Sequence, residues 1–188
     1  VVVESSPVCP FEVDDPVMGN RWETLTFLHW SFEPDVVQRL LPDWLSVEPV
    51  DGRAWVGLVP FFMRVSTAGG LRAPWASNFC ETNVRTYVRD REGRTGIWFL
   101  SLGAMAVART TYRLPYFWSA MSLDRSGDEV TYHCRRRWPG PRGVTSHVRV
   151  AVGEPYETRD LADLDHFLTA RWVLFSSSKH VVMGVPWA

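Results

Sequence analysis

The chain has 188 residues and a formal net charge of −1, from 20 basic and 21 acidic side chains. That length fits one domain with a sizeable core, and the balanced charge gives no electrostatic case for nucleic acid or an anionic membrane surface. The basic set holds a single lysine, Lys179, which leaves few options for amine-nucleophile chemistry; ten tryptophans point to a dense core or an aromatic-lined pocket.

In chain order, residues 1–20 carry prolines and paired aspartates and read as an extended N-terminal arm without a basic leader, and residues 21–188 as a single domain. Thr24–Trp30 is β-branched and aromatic, a strand pattern. Pro34 opens a short helix with Val36, Val37, Leu40 and Leu41 as its apolar stripe, stopped at Pro42. Asp51-Gly52 is a turn signal that predicts a hairpin between Leu45–Val50 and Ala54–Val65, with Pro60 placing the second run at an edge or a bulge.

Thr67–Ala76 reads as a loop, Phe79–Arg89 as a strand, Arg91–Arg94 as a turn and Gly96–Leu102 as the return strand. Ala104–Thr111 predicts a short helix ended before Leu114-Pro115. Phe117–Leu123 and Val130–Arg136 flank another hairpin turn, Val144–Val152 alternates as a strand, and Asp160–Arg171 is helical, with Leu161, Leu164 and Leu168 on one face. The sum is an α+β domain, mostly antiparallel β with a few short helices. No apolar run of membrane-spanning length occurs, so no membrane partner is expected. Cys9, Cys80 and Cys134 are too widely spaced for a disulfide framework or a zinc site and suit a cytoplasmic protein.

The informative stretch is Cys80–Val88. Side chains alternate along a strand, so Glu81, Asn83, Arg85 and Tyr87 share one face and Thr82, Val84, Thr86 and Val88 the other. Two readings compete for the polar face. It is a solvated strand side laced by an internal Glu81–Arg85 pair, or it is the wall of a pocket. In a pocket, Arg85 would bind a carboxylate and Glu81 would do acid–base work. Burial would raise the Glu81 pKa and a neighbouring arginine would lower it, and the residues alone do not decide between them. His29, between Leu28 and Trp30, reads as a core or pocket-rim histidine. The five histidines show no ligand spacing, so no metal is expected, and no phosphate-cradling glycine loop or other cofactor motif is found. Arg135-Arg136-Arg137 reads as a solvated strand end.

Four strings resemble the YqjF-like family of uncharacterised bacterial proteins, within the acetoacetate decarboxylase-like superfamily. They are Leu28-His29-Trp30, Asp51–Phe61, Phe79–Val88, and Ala108-Arg109 followed by Leu114-Pro115-Tyr116. The resemblance runs from Trp22 to about Phe175. It implies a curved antiparallel sheet closing into a cone or barrel around a small-molecule cavity, with a homo-oligomer as a candidate state. The decarboxylases carry a catalytic lysine just after a Phe-Pro pair. Here Leu114-Pro115 falls on that pair and Tyr116-Phe117 on the lysine positions, so the resemblance implies no Schiff base. Glu81 falls where those enzymes place an active-site glutamate, and Arg109 would face the cavity beside Tyr116. The family usually continues past a His-x-Pro-Trp-like string, whereas this chain stops at Trp187-Ala188.

Three functions follow. The first is a small-molecule binder whose wall includes Asn83, Arg85, Tyr87, Arg109 and His29, taking an organic acid or other anion. The second is a lyase- or isomerase-type enzyme with Glu81 as general acid or base and Tyr87 or Tyr116 as proton donor. The third is a structural or interaction protein.

Overall fold

The computed structural model describes residues 9–10, 18–67, 78–104, 116–141, 143–176 and 181–183. Eleven strands join in one sheet. They are β1 (Met18–Glu23), β2 (Leu28–Phe32), β3 (Leu45–Val47), β4 (Ala54–Thr67), β5 (Asn78–Asp90), β6 (Thr95–Ala104), β7 (Tyr116–Ser126), β8 (Glu129–Trp138), β9 (Thr145–Ala151), β10 (Val173–Phe175) and β11 (Val181–Met183). Among the described residues two short helices accompany them, α1 (Pro34–Gln38) and α2 (Asp163–Thr169). The main path runs β1-β4-β5-β6-β7-β8-β9. Its pairings are antiparallel except for β6 with β7, and β10 also adds to β6 in parallel.

The sheet curls into a half-barrel. Val130, Tyr132 and Val148 of β8 and β9 pack over Leu28 and Leu58 of β2 and β4. The Tyr132 hydroxyl donates to the Thr24 carbonyl at 2.7 Å and meets Thr26 Oγ1 at 2.8 Å. Among the described residues, side chains and not a strand ladder bring these two parts of the sheet together.

Several sequence expectations need correction. The predicted strand at Thr24–Trp30 starts only at Leu28, because Thr24 takes a positive φ of 50° and turns the chain between β1 and β2. β1 opens at Met18, inside the stretch read as an arm, and pairs with β4. The Asp51-Gly52 turn forms, with φ of 51° and 73°, but it closes only the Val50–Arg53 bridge. β3 then pairs with β5 and not with β4.

Pro60 is neither at an edge nor in a bulge. It lies inside β4, opposite Thr82 of β5. On the other side of β4, β2 pairs as far as Leu58 and β1 begins at Phe62. Proline has no N–H to give a ladder, and here the neighbouring strand is interrupted where that N–H would be needed. The Pro60 carbonyl still accepts from Thr26 N at 3.1 Å.

The predicted helix over Asp160–Arg171 shrinks to α2, after a 3-10 turn at Thr158–Asp160. Asp165 accepts the Ala162 N–H at 2.9 Å and so caps its start. Phe167 and Leu168 are its buried residues, while Leu161 lies outside the helix and is exposed. Of the predicted loop at Thr67–Ala76 and helix at Ala104–Thr111, only the first positions are described, and Thr67 closes β4 and Ala104 closes β6; the rest fall outside the described residues. Ser176, just past β10, is buried. Among the described residues, no helix is long and apolar enough to cross a membrane.

Candidate functional site

β5 is paired on both sides through its middle, so its side chains can leave only above and below the sheet. The register with β4 is unbroken from Asn78 to Thr86. The irregularity near Val84 skips Leu100 of β6, so β5 keeps its alternation. Glu81, Asn83, Arg85 and Tyr87 therefore do share a face, at relative exposures of 4%, 4%, 3% and 0%. These values exclude a solvated strand side. Val59 and Phe61 of β4 lie opposite Asn83 and Glu81, and Leu102, Phe99 and Ile97 of β6 lie opposite Asn83, Arg85 and Tyr87. Four polar side chains thus stand in a largely apolar wall.

One end of the row is fully engaged. His29 lies across Gly57 from Arg85 in the ladder. A Cβ on Gly57 would stand 2.8 Å from His29 Nε2, so the missing side chain is what lets the imidazole lie there. His29 Nε2 is 2.7 Å from the Tyr87 hydroxyl, and that hydroxyl donates to the Leu168 carbonyl of α2 at 2.6 Å. A carbonyl can only accept, so the phenol proton goes to Leu168 and His29 supplies the N–H between the two rings. Burial, then the Arg85 charge, pulls the His29 pKa down to about 4, consistent with a neutral ring. Burial pushes the Tyr87 phenol up.

Arg85 Nη2 donates to the same Leu168 carbonyl at 2.5 Å, and its guanidinium lies 4.9 Å from the Phe27 ring. Arg171, just past α2, donates from Nε to the Phe167 carbonyl at 2.8 Å and pairs with Glu48 at 3.1 Å. Its guanidinium lies over the rings of Phe167 and Tyr87. Cations beside the last carbonyls of α2 suit the negative end of a helix. The apolar side of the joint is Tyr87, Ile97, Phe99, Leu102, Phe167 and Leu168.

The other end is different. Glu81 is within the sheet at the level of Phe61, with Asn83 next to it on the same buried face. Burial raises its pKa to about 8, the Asn83 side chain acting weakly the other way, so the carboxyl keeps its proton at neutral pH. Arg85 does not offset this burial. Residues four apart on a strand are separated by about 13 Å, and Arg85 is turned to Leu168. The predicted internal Glu81–Arg85 pair is absent from the ion pairs of the described residues. Glu81 Oε2, Asn83 Oδ1 and Arg85 Nε are buried without a hydrogen-bond partner.

Of the seven predicted site residues, the structure brings His29, Arg85 and Tyr87 into one network and leaves Glu81 and Asn83 beside it. Tyr116 starts β7, paired to Leu102, which itself pairs with Asn83, so its backbone belongs to the same row. Arg109 lies outside the described residues. Sequence reasoning missed Gly57, Glu48, Phe167, the Leu168 carbonyl and Arg171. The only signal was the Phe167-Leu168 pair followed by Arg171 at the end of an amphipathic helix. Arg136 of the basic run is not merely solvated. It stacks 3.7 Å from the Phe117 ring centroid and donates to Ser101 Oγ. His133 and His147, far apart in sequence, stack across β8 and β9 at 4.2 Å. Among the described residues, no group of three or more His, Cys, Asp or Glu side chains could hold a metal ion.

Residues 19–186 match DUF2071, a family of uncharacterized conserved proteins. The chain is 32% identical over 170 residues to the uncharacterized protein YqjF of Bacillus subtilis, covering 87% of this chain and 69% of that one. In fold it resembles an acetoacetate decarboxylase-like enzyme from Sphingomonas wittichii, with a TM-score of 0.61 and 18% identity over 91% of this chain and 71% of the other. It also resembles the enduracididine biosynthesis enzyme MppR complexed with a condensation product of pyruvate and imidazole 4-carboxaldehyde. That match has a TM-score of 0.56 and 17% identity, covering 92% of this chain and 65% of MppR. These likenesses show an acetoacetate decarboxylase-like fold.

Proposed function

The chain belongs to the DUF2071 family, and from that premise we propose that it binds a small organic acid or other anionic metabolite against β5, without Schiff-base chemistry. The observation that carries this reading is the row of buried polar side chains, Glu81 to Arg85, set in an apolar wall with polar atoms left unpartnered. Buried polar groups are nearly always satisfied, and a ligand is one partner that would satisfy these. MppR, of the same fold, has been captured with pyruvate. The only lysine of the chain is Lys179, and the family resemblance implies Tyr116 and Phe117 at the decarboxylase lysine positions. These points support binding without an amine nucleophile.

Titration calorimetry with pyruvate and a panel of small carboxylic acids tests the proposal. Saturable binding to the wild type that survives Glu81→Gln and is lost in Arg85→Ala is the expected result, with thermal melts checking that each variant folds. No heat from any acid would overturn it. Borohydride reduction in the presence of pyruvate should leave the protein mass unchanged.

A second reading is favoured by the burial of Glu81, which raises its carboxyl to about 8. A group that titrates near working pH suits general acid–base catalysis of a lyase or isomerase type, with Tyr116 as the candidate partner. Turnover of an acid by the wild type and not by Glu81→Gln would replace the binding reading with this one.

A further inference from the structure

We propose that the ligand of this site is an organic acid with a hydroxyl or N–H set between two oxygen acceptors, the one nearest Arg85 being anionic. The inference rests on the reading of β5 as a binding wall and specifies what that wall recognises. Glu81 Oε2, Asn83 Oδ1 and Arg85 Nε are three buried atoms without a hydrogen-bond partner. They belong to alternate residues of one strand face, so their Cα atoms follow one another at about 6.8 Å.

Each of the three has a definite hydrogen-bonding character. Asn83 Oδ1 is an amide oxygen and can only accept. Glu81 is held protonated by burial, so its unpartnered Oε2 can offer an O–H. Arg85 has spent Nη2 on the Leu168 carbonyl and the Tyr87 hydroxyl, and the Nε–H remains. Along β5 the wall therefore presents donor, acceptor, donor. Its complement is acceptor, donor, acceptor, and a guanidinium favours the negatively charged acceptor.

A simple 2-oxo acid lacks the middle donor and would leave Asn83 Oδ1 buried and unpaired. A ligand that supplies the donor gains about one net hydrogen bond over one that does not.

The test is a matched pair of probes, glutarate and 3-hydroxyglutarate, titrated calorimetrically into the wild type, Asn83→Leu and Asn83→Asp. The hydroxyl is expected to tighten wild-type binding roughly fivefold, the worth of one net hydrogen bond. That preference should vanish in Asn83→Leu and persist in Asn83→Asp, which keeps an acceptor at the same place. Should Asn83→Leu fail to fold, Asn83→Ala, which also removes the acceptor, takes its place and should likewise lose the preference. Equal binding of the two acids by the wild type overturns the inference and leaves the organic-acid reading intact. Binding of neither, nor of any acid in the wider panel, removes that reading and this inference with it.

Discussion

Replacing Glu81 by glutamine should change how stability depends on pH more than it changes stability at any one pH. The folded chain holds the Glu81 proton up to about pH 8, whereas the unfolded chain releases it near 4.5. Between those values the native state binds one proton more than the unfolded state. Stability from this source is therefore complete below pH 4.5 and is lost as pH rises through about 8. Each pH unit in the window removes about 1.4 kcal/mol, so the wild type loses about 5 kcal/mol across it. That is a large part of the stability of an ordinary domain.

Glutamine is nearly isosteric and cannot ionise. Its stability should carry no such slope. His29 contributes the opposite sign in a lower window, its stability being complete above pH 6.5 and lost as pH falls through about 4. That contribution is common to both proteins and cancels in their difference. Urea unfolding followed by fluorescence of the ten tryptophans, at a series of pH values from 4.5 to 8.5, measures the difference directly. The expected result is that Glu81→Gln gains on the wild type steadily with pH. Two parallel stability curves would refute the assignment of a buried, protonated carboxyl.

Gly57→Ala places a Cβ 2.8 Å from His29 Nε2 and 2.9 Å from its Cδ2. The imidazole must leave Tyr87, and the expected loss is about 1–3 kcal/mol by urea denaturation; an unchanged midpoint would show that the ring has another resting place. Tyr87→Phe removes the hydroxyl between His29 and Leu168 and strands the His29 N–H. It should cost about 1–3 kcal/mol. A double-mutant cycle with His29→Ala should show the two losses to be less than additive, and strict additivity would dissolve the network.

The part of the site that lies on one strand was legible in the sequence, because alternation depends only on parity. Glu81, Asn83, Arg85 and Tyr87 share a face as expected. Their partners were not legible. Tyr87 meets His29 from 58 residues away and Leu168 from 81 away, and nothing local to Cys80–Val88 announces either. Gly57 reads as an ordinary strand glycine until β2 is laid beside it and His29 needs the space. Pro60 misled for the same reason. Its demand is for a missing neighbour, and the gap between β1 and β2 that meets it is a property of the assembled sheet. The strand pattern gave a mostly antiparallel domain and the family resemblance alone implied a closing sheet, while the pairing of β3 with β5 was not legible, since a turn signal predicts a reversal and not how far the hairpin extends.

The two ends of β5 depend on each other through Arg85. A guanidinium beside Glu81 would draw the proton off the carboxyl and turn a hydrogen-bond donor into a buried anion. Extended backbone alone does not prevent this, since two long side chains can close much of a separation of about 13 Å. What holds Arg85 back is the Leu168 carbonyl, at the end of a helix whose own last residues are fixed by Tyr87 and Arg171. The Arg85 charge accordingly acts on His29 and Tyr87 and is absent from the causes that set Glu81. The docking of α2, which reads as plain scaffold, thereby sets the chemical character of a side chain four residues along the strand. It follows that a change in α2 which frees Arg85 should lower the Glu81 pKa without touching Glu81 itself.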